Sequence, residues 1–174
     1  SESLVISYHE FLNNLQTGTV SVITAKGGYG KTISTAYIFN QAIDLHRSDP
    51  RRPIPVLMEC KTYNGNVCEL INRRFGLTHG AFNQIDASFL LIFDAIDELP
   101  QRDMNRFCTD LSTLIDCCSV SIVITQRNNT LNSEFNIGKI VYSYGITQLS
   151  IRQMSEICKK HGMDYEESKE MIFK

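Results

Sequence analysis

The sequence predicts an α/β protein: a five-stranded parallel sheet carrying helices on both faces. Short β-branched or apolar runs alternate with segments of helical spacing along nearly the whole chain. Two of those runs, 20–24 and 89–93, are apolar enough to be strands buried on both sides. Breakers such as Thr17-Gly18-Thr19, Ser48-Asp49-Pro50 and Gly76 separate the segments.

Taken in order, residues 8–15 place Phe11, Leu12 and Leu15 at helical spacing. The first strand, 20–24, runs into a glycine-rich stretch. Residues 32–45 then carry Ile33, Ala36, Tyr37, Ile38, Ala42 and Ile43 on a helix that should stop before Ser48-Asp49-Pro50. Pro53 and Pro55 flank the entry to a second strand, 54–60, and 67–75 is a short helix stopped by Gly76. The third strand, 89–93, directly precedes a group of acids. Residues 103–117 form a helix with Phe107, Leu111, Leu114 and Ile115 on one face, and strands follow at 120–125 and 139–143. A last helix is expected after Ser150, a residue suited to an N-cap, with Ile151, Met154 and Ile157 facing inward. No internal repeat or low-complexity tract is visible.

With 174 residues, 43% hydrophobic and 21% charged, the chain can bury one sizeable core. A formal charge of -2 supplies no field for nucleic acid or anionic lipid. The longest apolar run is far short of a membrane span, and no signal-peptide pattern is present. The six cysteines form no C-x-x-C pair and have no histidine at zinc-ligand spacing, so reduced structural thiols in a cytoplasmic protein are expected. The chain starts at Ser1 without Met and ends in a charged, helical-looking stretch. A piece of a longer protein is therefore expected, with one domain over 1–149 and the start of a helical one over 150–174.

Residues 25–32 read Ala-Lys-Gly-Gly-Tyr-Gly-Lys-Thr. Polyphosphate carries dense negative charge, and backbone N–H groups can match it only where side chains do not intrude. Gly27, Gly28 and Gly30 give that freedom. The loop opens a helix, so unsatisfied N–H groups and the positive end of the helix dipole converge on one point. Lys31 is placed to reach the β- and γ-phosphates, and the Thr32 hydroxyl to ligate Mg²⁺. The nucleotide-binding stretch is expected to cover Ala25, Lys26, Gly27, Gly28, Tyr29, Gly30, Lys31, Thr32 and Ile33. Ala25 departs from the usual glycine of the GxxxxGK[ST] pattern.

Residues 89–99 read Phe-Leu-Leu-Ile-Phe-Asp-Ala-Ile-Asp-Glu-Leu. Asp94 ends the strand where ligands collect in parallel sheets, so it is expected to support the Mg²⁺ held by Thr32. Asp97 and Glu98 follow within reach of a water aligned on the γ-phosphate, which either could orient or deprotonate. The plainer alternative makes these two acids the N-cap and first turn of the next helix.

With both segments read, the chain resembles the NACHT-type NTPase domain of signal-transducing (STAND) P-loop ATPases, a class that includes inflammasome receptors and bacterial anti-phage defence proteins. The segment Leu90–Leu99 fits that family's second motif: four apolar residues, Asp, a small residue, an apolar one, Asp-Glu. Ile122-Val123-Ile124-Thr125-Gln126-Arg127 fits its Thr-x-Arg sensor, which makes Arg127 the candidate γ-phosphate contact. The resemblance covers about 20–149. It implies a three-layer P-loop NTPase sandwich with strand order 5-1-4-3-2, and ATP/ADP with Mg²⁺ as ligands. It also implies a slowly hydrolysing switch that assembles into a homo-oligomer when an activating ligand reaches the whole protein. No membrane or direct nucleic-acid contact is expected. The loop itself does not separate adenine from guanine, although no Asn-Lys-x-Asp guanine-reading motif appears.

Two alternatives stay open. Lys26-Gly27-Gly28-Tyr29-Gly30-Lys31-Thr32 also looks like the deviant phosphate loop of partition-type ATPases, in which the early lysine reaches a dimer partner's nucleotide. The second strand and the residues after Asp94 fit that family less well. The other alternative is a nucleotide-bound scaffold that does not hydrolyse. The arginines Arg47, Arg51 and Arg52 lie in a proline-flanked loop without interleaved aromatics, which reads as solvated surface.

Overall fold

The computed structural model describes residues 6–25, 31–127 and 136–146. The expected last helix, with Ser150, Ile151, Met154 and Ile157, lies outside the described residues.

Helix α1 (Tyr8–Asn14) opens with a capping box: the Ser7 Oγ accepts from the Glu10 N–H, and the Glu10 carboxylate accepts from the Ser7 N–H. Strand β1 (Val20–Ala25) leads to α2 (Lys31–Ser48), and β2 (Ile54–Glu59) to α3 (Val67–Phe75). Strand β3 (Phe89–Asp94) leads to α4 (Met104–Cys117), followed by β4 (Val120–Arg127) and β5 (Val141–Gly145). Asn66 caps α3 through its side chain, and Gly76 ends it in the left-handed region at φ 64.

Some boundaries move. Helix α2 includes Ser48 rather than stopping ahead of it, because the break comes with Asp49 and Pro50. Strand β4 runs two residues further, to Arg127, and β5 is shifted toward the C-terminus to pair with β1 from Val20 to Thr24.

All strand pairs are parallel, and the order is β2-β3-β4-β1-β5, which is the expected 5-1-4-3-2 read from the other edge. Pro55, which has no N–H to offer a ladder, sits on edge strand β2.

Period-two alternation divides the strand residues between two cores. Val20, Val22, Phe89, Leu91, Phe93, Val120, Ile122 and Ile124 pack with Leu70 and Ile71 of α3 and Phe107, Leu111 and Leu114 of α4. Ile23, Leu90, Ile92 and Val123 pack on the opposite face with Phe11 and Leu12 of α1 and Ile38 and Ala42 of α2. The result is three layers, with α1 and α2 on one side of the sheet and α3 and α4 on the other. Cys108 and Cys117 are free thiols, and Cys60 and Cys108 are buried. No helix among the described residues is long and apolar enough to cross a membrane.

Candidate functional site

The same alternation assembles the site. Leu90 and Ile92 face α2, so the next residue in phase, Asp94, reaches that layer at the carboxyl end of β3. On β4, Val123 faces α2, and Thr125 and Arg127 continue that phase. On β1, Ile23 does the same, and Ala25 follows it, 1% exposed and paired in register with Arg127. Four strand-end residues thus converge where the glycine-rich loop leads into α2.

Asp94 is held by two hydroxyls. Thr35 of α2 donates to its Oδ1 at 3.0 Å, and Thr125 of β4 donates to the same oxygen at 2.5 Å. The Ala95 N–H in turn donates to Thr125 Oγ1 at 3.0 Å. Ala95 adopts φ 59 and ψ 63, the left-handed region, and is the one non-glycine residue with positive φ among the described residues. This turn redirects the chain from β3 into a single 3₁₀ turn, Ile96–Glu98. Helix α4 begins only at Met104, after a second 3₁₀ turn at Gln101–Asp103. Neither Asp97 nor Glu98 therefore caps α4; the plainer reading holds only in that both acids lie in the short 3₁₀ turn after β3.

Both acids meet Arg127 instead. Asp97 Oδ1 accepts the Arg127 backbone N–H at 2.9 Å, and its Oδ2 lies 3.6 Å from Arg127 Nε. Glu98 Oε1 lies 3.8 Å from Arg127 Nη2. The Asp97 side chain keeps 15% of its surface, against 40% for Glu98 and 60% for Arg127. Next to this cluster, Gln126 Nε2 donates to Thr24 Oγ1 at 2.8 Å and ties the ends of β4 and β1 together. Lys61, bonded to Glu59 at 2.7 Å, has its pKa raised by that partner first, with smaller contributions from the charges of Glu98 and Asp94.

The structure thus brings Asp94, Asp97, Glu98, Arg127 and Ala25 to one end of the sheet. Lys26, Gly27, Gly28, Tyr29 and Gly30 lie outside the described residues. Lys31, Thr32 and Ile33 are described as the backbone of the first turn of α2. Thr32 precedes Thr35 by one helical turn, and Thr35 touches Asp94. Sequence reasoning missed Thr35 and gave Thr125 no role of its own. The available signal was spacing, since Thr35 lies three residues after Thr32 and Thr125 two before Arg127.

Among the described residues no group of three or more His, Cys, Asp or Glu side chains could hold a metal ion. One carboxylate beside hydroxyls suits Mg²⁺ delivered with a nucleotide, because that ion keeps waters and phosphate oxygens as most of its ligands. A separate cavity of about 440 Å³ on the outer side of β2 is lined by Leu57, Met58, Glu59, Thr62, Leu70, Arg73 and Arg74, and includes neither Asp94 nor Arg127.

No protein-family profile matches this sequence, and no curated protein matches it. Solved structures do. The AMPPCP-bound DnaA of Aquifex aeolicus aligns over 90% of this chain and 50% of its own, at 18% identity and a TM-score of 0.53. Cdc6p of Pyrobaculum aerophilum aligns over 87% and 45%, at 15% identity and a TM-score of 0.55. The ORC1 protein of Aeropyrum pernix, solved with DNA, aligns over 83% and 43%, at 12% identity and a TM-score of 0.58. The chain spans half the length of these proteins or less. At such identities the likeness concerns architecture alone, and it agrees with the sheet order and layers above. The chain has the three-layer α/β fold of P-loop NTPases.

Proposed function

We propose that this chain is an ATP-binding switch of the NACHT type, the nucleotide-binding and oligomerisation module of a STAND signalling or anti-phage defence protein. The observation that carries the reading is the position of Arg127. Strand β4 lies between β1 and β3, so its terminal arginine sits between the start of the glycine loop and the acids after Asp94. A side chain there can exchange one set of anions for another. It faces Asp97 and Glu98, and with ATP bound it would turn to the γ-phosphate.

The remaining roles follow from reach and chemistry. Backbone N–H groups of Lys26, Gly27, Gly28, Tyr29 and Gly30 cradle the phosphates, and Lys31 meets the β- and γ-oxygens. Ala25 and Ile33 flank that cradle. Thr32 and Asp94 would hold Mg²⁺, which would neutralise charge on the phosphate oxygens. Glu98, the more open of the two acids, orients the attacking water, while Asp97 anchors Arg127. Turnover is slow, so that the assembled state outlives the chemistry. Driving such a switch from mostly closed to mostly open takes about 5.5 kcal/mol of differential binding. The arginine exchange supplies part of it, and segments of the longer protein the rest.

The partition-type alternative is less well supported, since it assigns nothing to an arginine in this position. The non-hydrolysing scaffold draws support from one observation: both acids already face a cation. DNA belongs to longer neighbours such as the ORC1 complex, and a charge of -2 offers it no field here.

Equilibrium binding of fluorescent ATP and GTP, with and without Mg²⁺, tests the site, alongside Lys31→Ala and Asp94→Asn. The expectation is ATP binding that needs Lys31 and is strengthened by Mg²⁺ through Asp94. A wild-type chain that binds neither nucleotide refutes the proposal. Phosphate release that Glu98→Gln leaves unchanged favours the scaffold.

A further inference from the structure

We propose that Thr125 is the positioning residue for the Asp94 carboxylate, fixing Oδ1 toward the protein and leaving Oδ2 to meet a divalent cation. The inference rests on the nucleotide-site reading above and assigns the metal-facing oxygen within it.

A threonine hydroxyl has one hydrogen to give. In Thr125 that hydrogen goes to Asp94 Oδ1, and a lone pair on the same oxygen accepts the Ala95 N–H. The hydroxyl is therefore bound on both sides and cannot rotate without losing a bond. Thr125 is 1% exposed, so water has no access to replace either partner. The Asp94 carboxylate, in contrast, turns about a broad, roughly two-fold torsion, and nothing in its covalent structure prefers one oxygen over the other. Thr35 adds a second donor to Oδ1 from α2. Two donors saturate that oxygen on the side facing the fold, and among the described residues none is aimed at Oδ2.

The arrangement also joins three parts of the site. Thr35 follows the glycine loop on α2, Thr125 precedes Arg127 on β4, and Ala95 begins the turn that carries Asp97 and Glu98. One carboxylate oxygen registers all three, so the metal-facing oxygen is set by the same contacts that align the loop helix with the arginine strand. An apolar residue of the same shape at position 125 preserves packing and removes the register.

The test compares Thr125→Val, Thr125→Ser and Thr35→Val in the full chain, reading the affinity for fluorescent ATP in Mg²⁺ and in EDTA. Thr125→Val should reduce the Mg²⁺-dependent gain in affinity by about 10-fold or more, the usual effect of losing an outer partner of a metal ligand. Affinity in EDTA should change by less than about twofold, because phosphate contacts do not pass through Oδ2. Thr125→Ser should restore wild-type behaviour. Thr35→Val should show a smaller loss of the same kind, and it decides the matter if Thr125→Val does not fold. Equal losses with and without Mg²⁺, no loss at all, or no restoration by serine overturn the assignment while leaving nucleotide binding intact. A wild-type chain that binds nucleotide under neither condition overturns the site reading and this assignment together.

Discussion

Replacing Asp97 separates an anchor from a chemical group. Asp97 Oδ1 accepts the Arg127 N–H at 2.9 Å, a bond to a charged acceptor of the kind worth about 1.5–3 kcal/mol. The low end applies, because Arg127 ends its strand with a side chain 60% exposed and water can reach the freed N–H. The ion pair at 3.6 Å adds about 0.5 kcal/mol, since solvent and salt screen a guanidinium this open. Asp97→Ala should therefore cost about 2 kcal/mol, or about 4–8 °C in Tm for a domain of this size. Asp97→Asn keeps an acceptor oxygen and loses only the charge, so it should cost about half as much. Thermal melts at low and high salt read these values, and the ionic part should fade at high salt. Single-turnover phosphate release gives the second readout. If Asp97 only anchors, Asp97→Asn stays within a few-fold of wild type, whereas Glu98→Gln falls by about 100-fold or more. An Asp97→Asn chain with unchanged Tm and turnover as low as that of Glu98→Gln would refute the anchoring role.

Two further perturbations test the surroundings. Ala95→Gly removes a left-handed strain of about 1 kcal/mol and a buried methyl of about 0.8 kcal/mol, so Tm should barely move, whereas Ala95→Val places a branched side chain at φ 59 and should melt several degrees lower; a valine variant as stable as wild type contradicts this turn. Burial, and then the bond and charge of Asp110 at 2.9 Å, push the Tyr63 pKa well above its ordinary 10.0. An unfolded tyrosine loses its proton first, so this contribution to stability is complete below about pH 10 and declines as pH rises further. Cys108 and Cys118, raised by burial, act with the same sign from about pH 9. Urea denaturation across alkaline pH should show that decline flattened in Tyr63→Phe, and parallel curves for the two proteins would exclude the coupling.

Much of this molecule was legible in its residues because local rules wrote it. Apolar runs named the strands, and the glycine loop before a helical pattern named α2. The acid group after 89–93 marked the end of the sheet where Asp94, Asp97 and Glu98 meet Thr125 and Arg127. The Ser7–Glu10 capping box of α1, a local pattern too, was not read from the sequence and came only with the structure. Less visible were the two 3₁₀ turns that detach Asp97 and Glu98 from α4, since the left-handed step at Ala95 is a residue choice that any turn or helix could share.

The order of amino acids thus settled which side chains stand at strand ends and which face each takes, because alternation along a strand is a local property. It did not settle who meets whom. Asp97 lies 30 residues from Arg127, and Asp94 lies 59 from Thr35 and 31 from Thr125. Those contacts exist because β4 packs between β1 and β3 and α2 crosses above them. That choice belongs to the burial of two opposite cores, and no single segment encodes it.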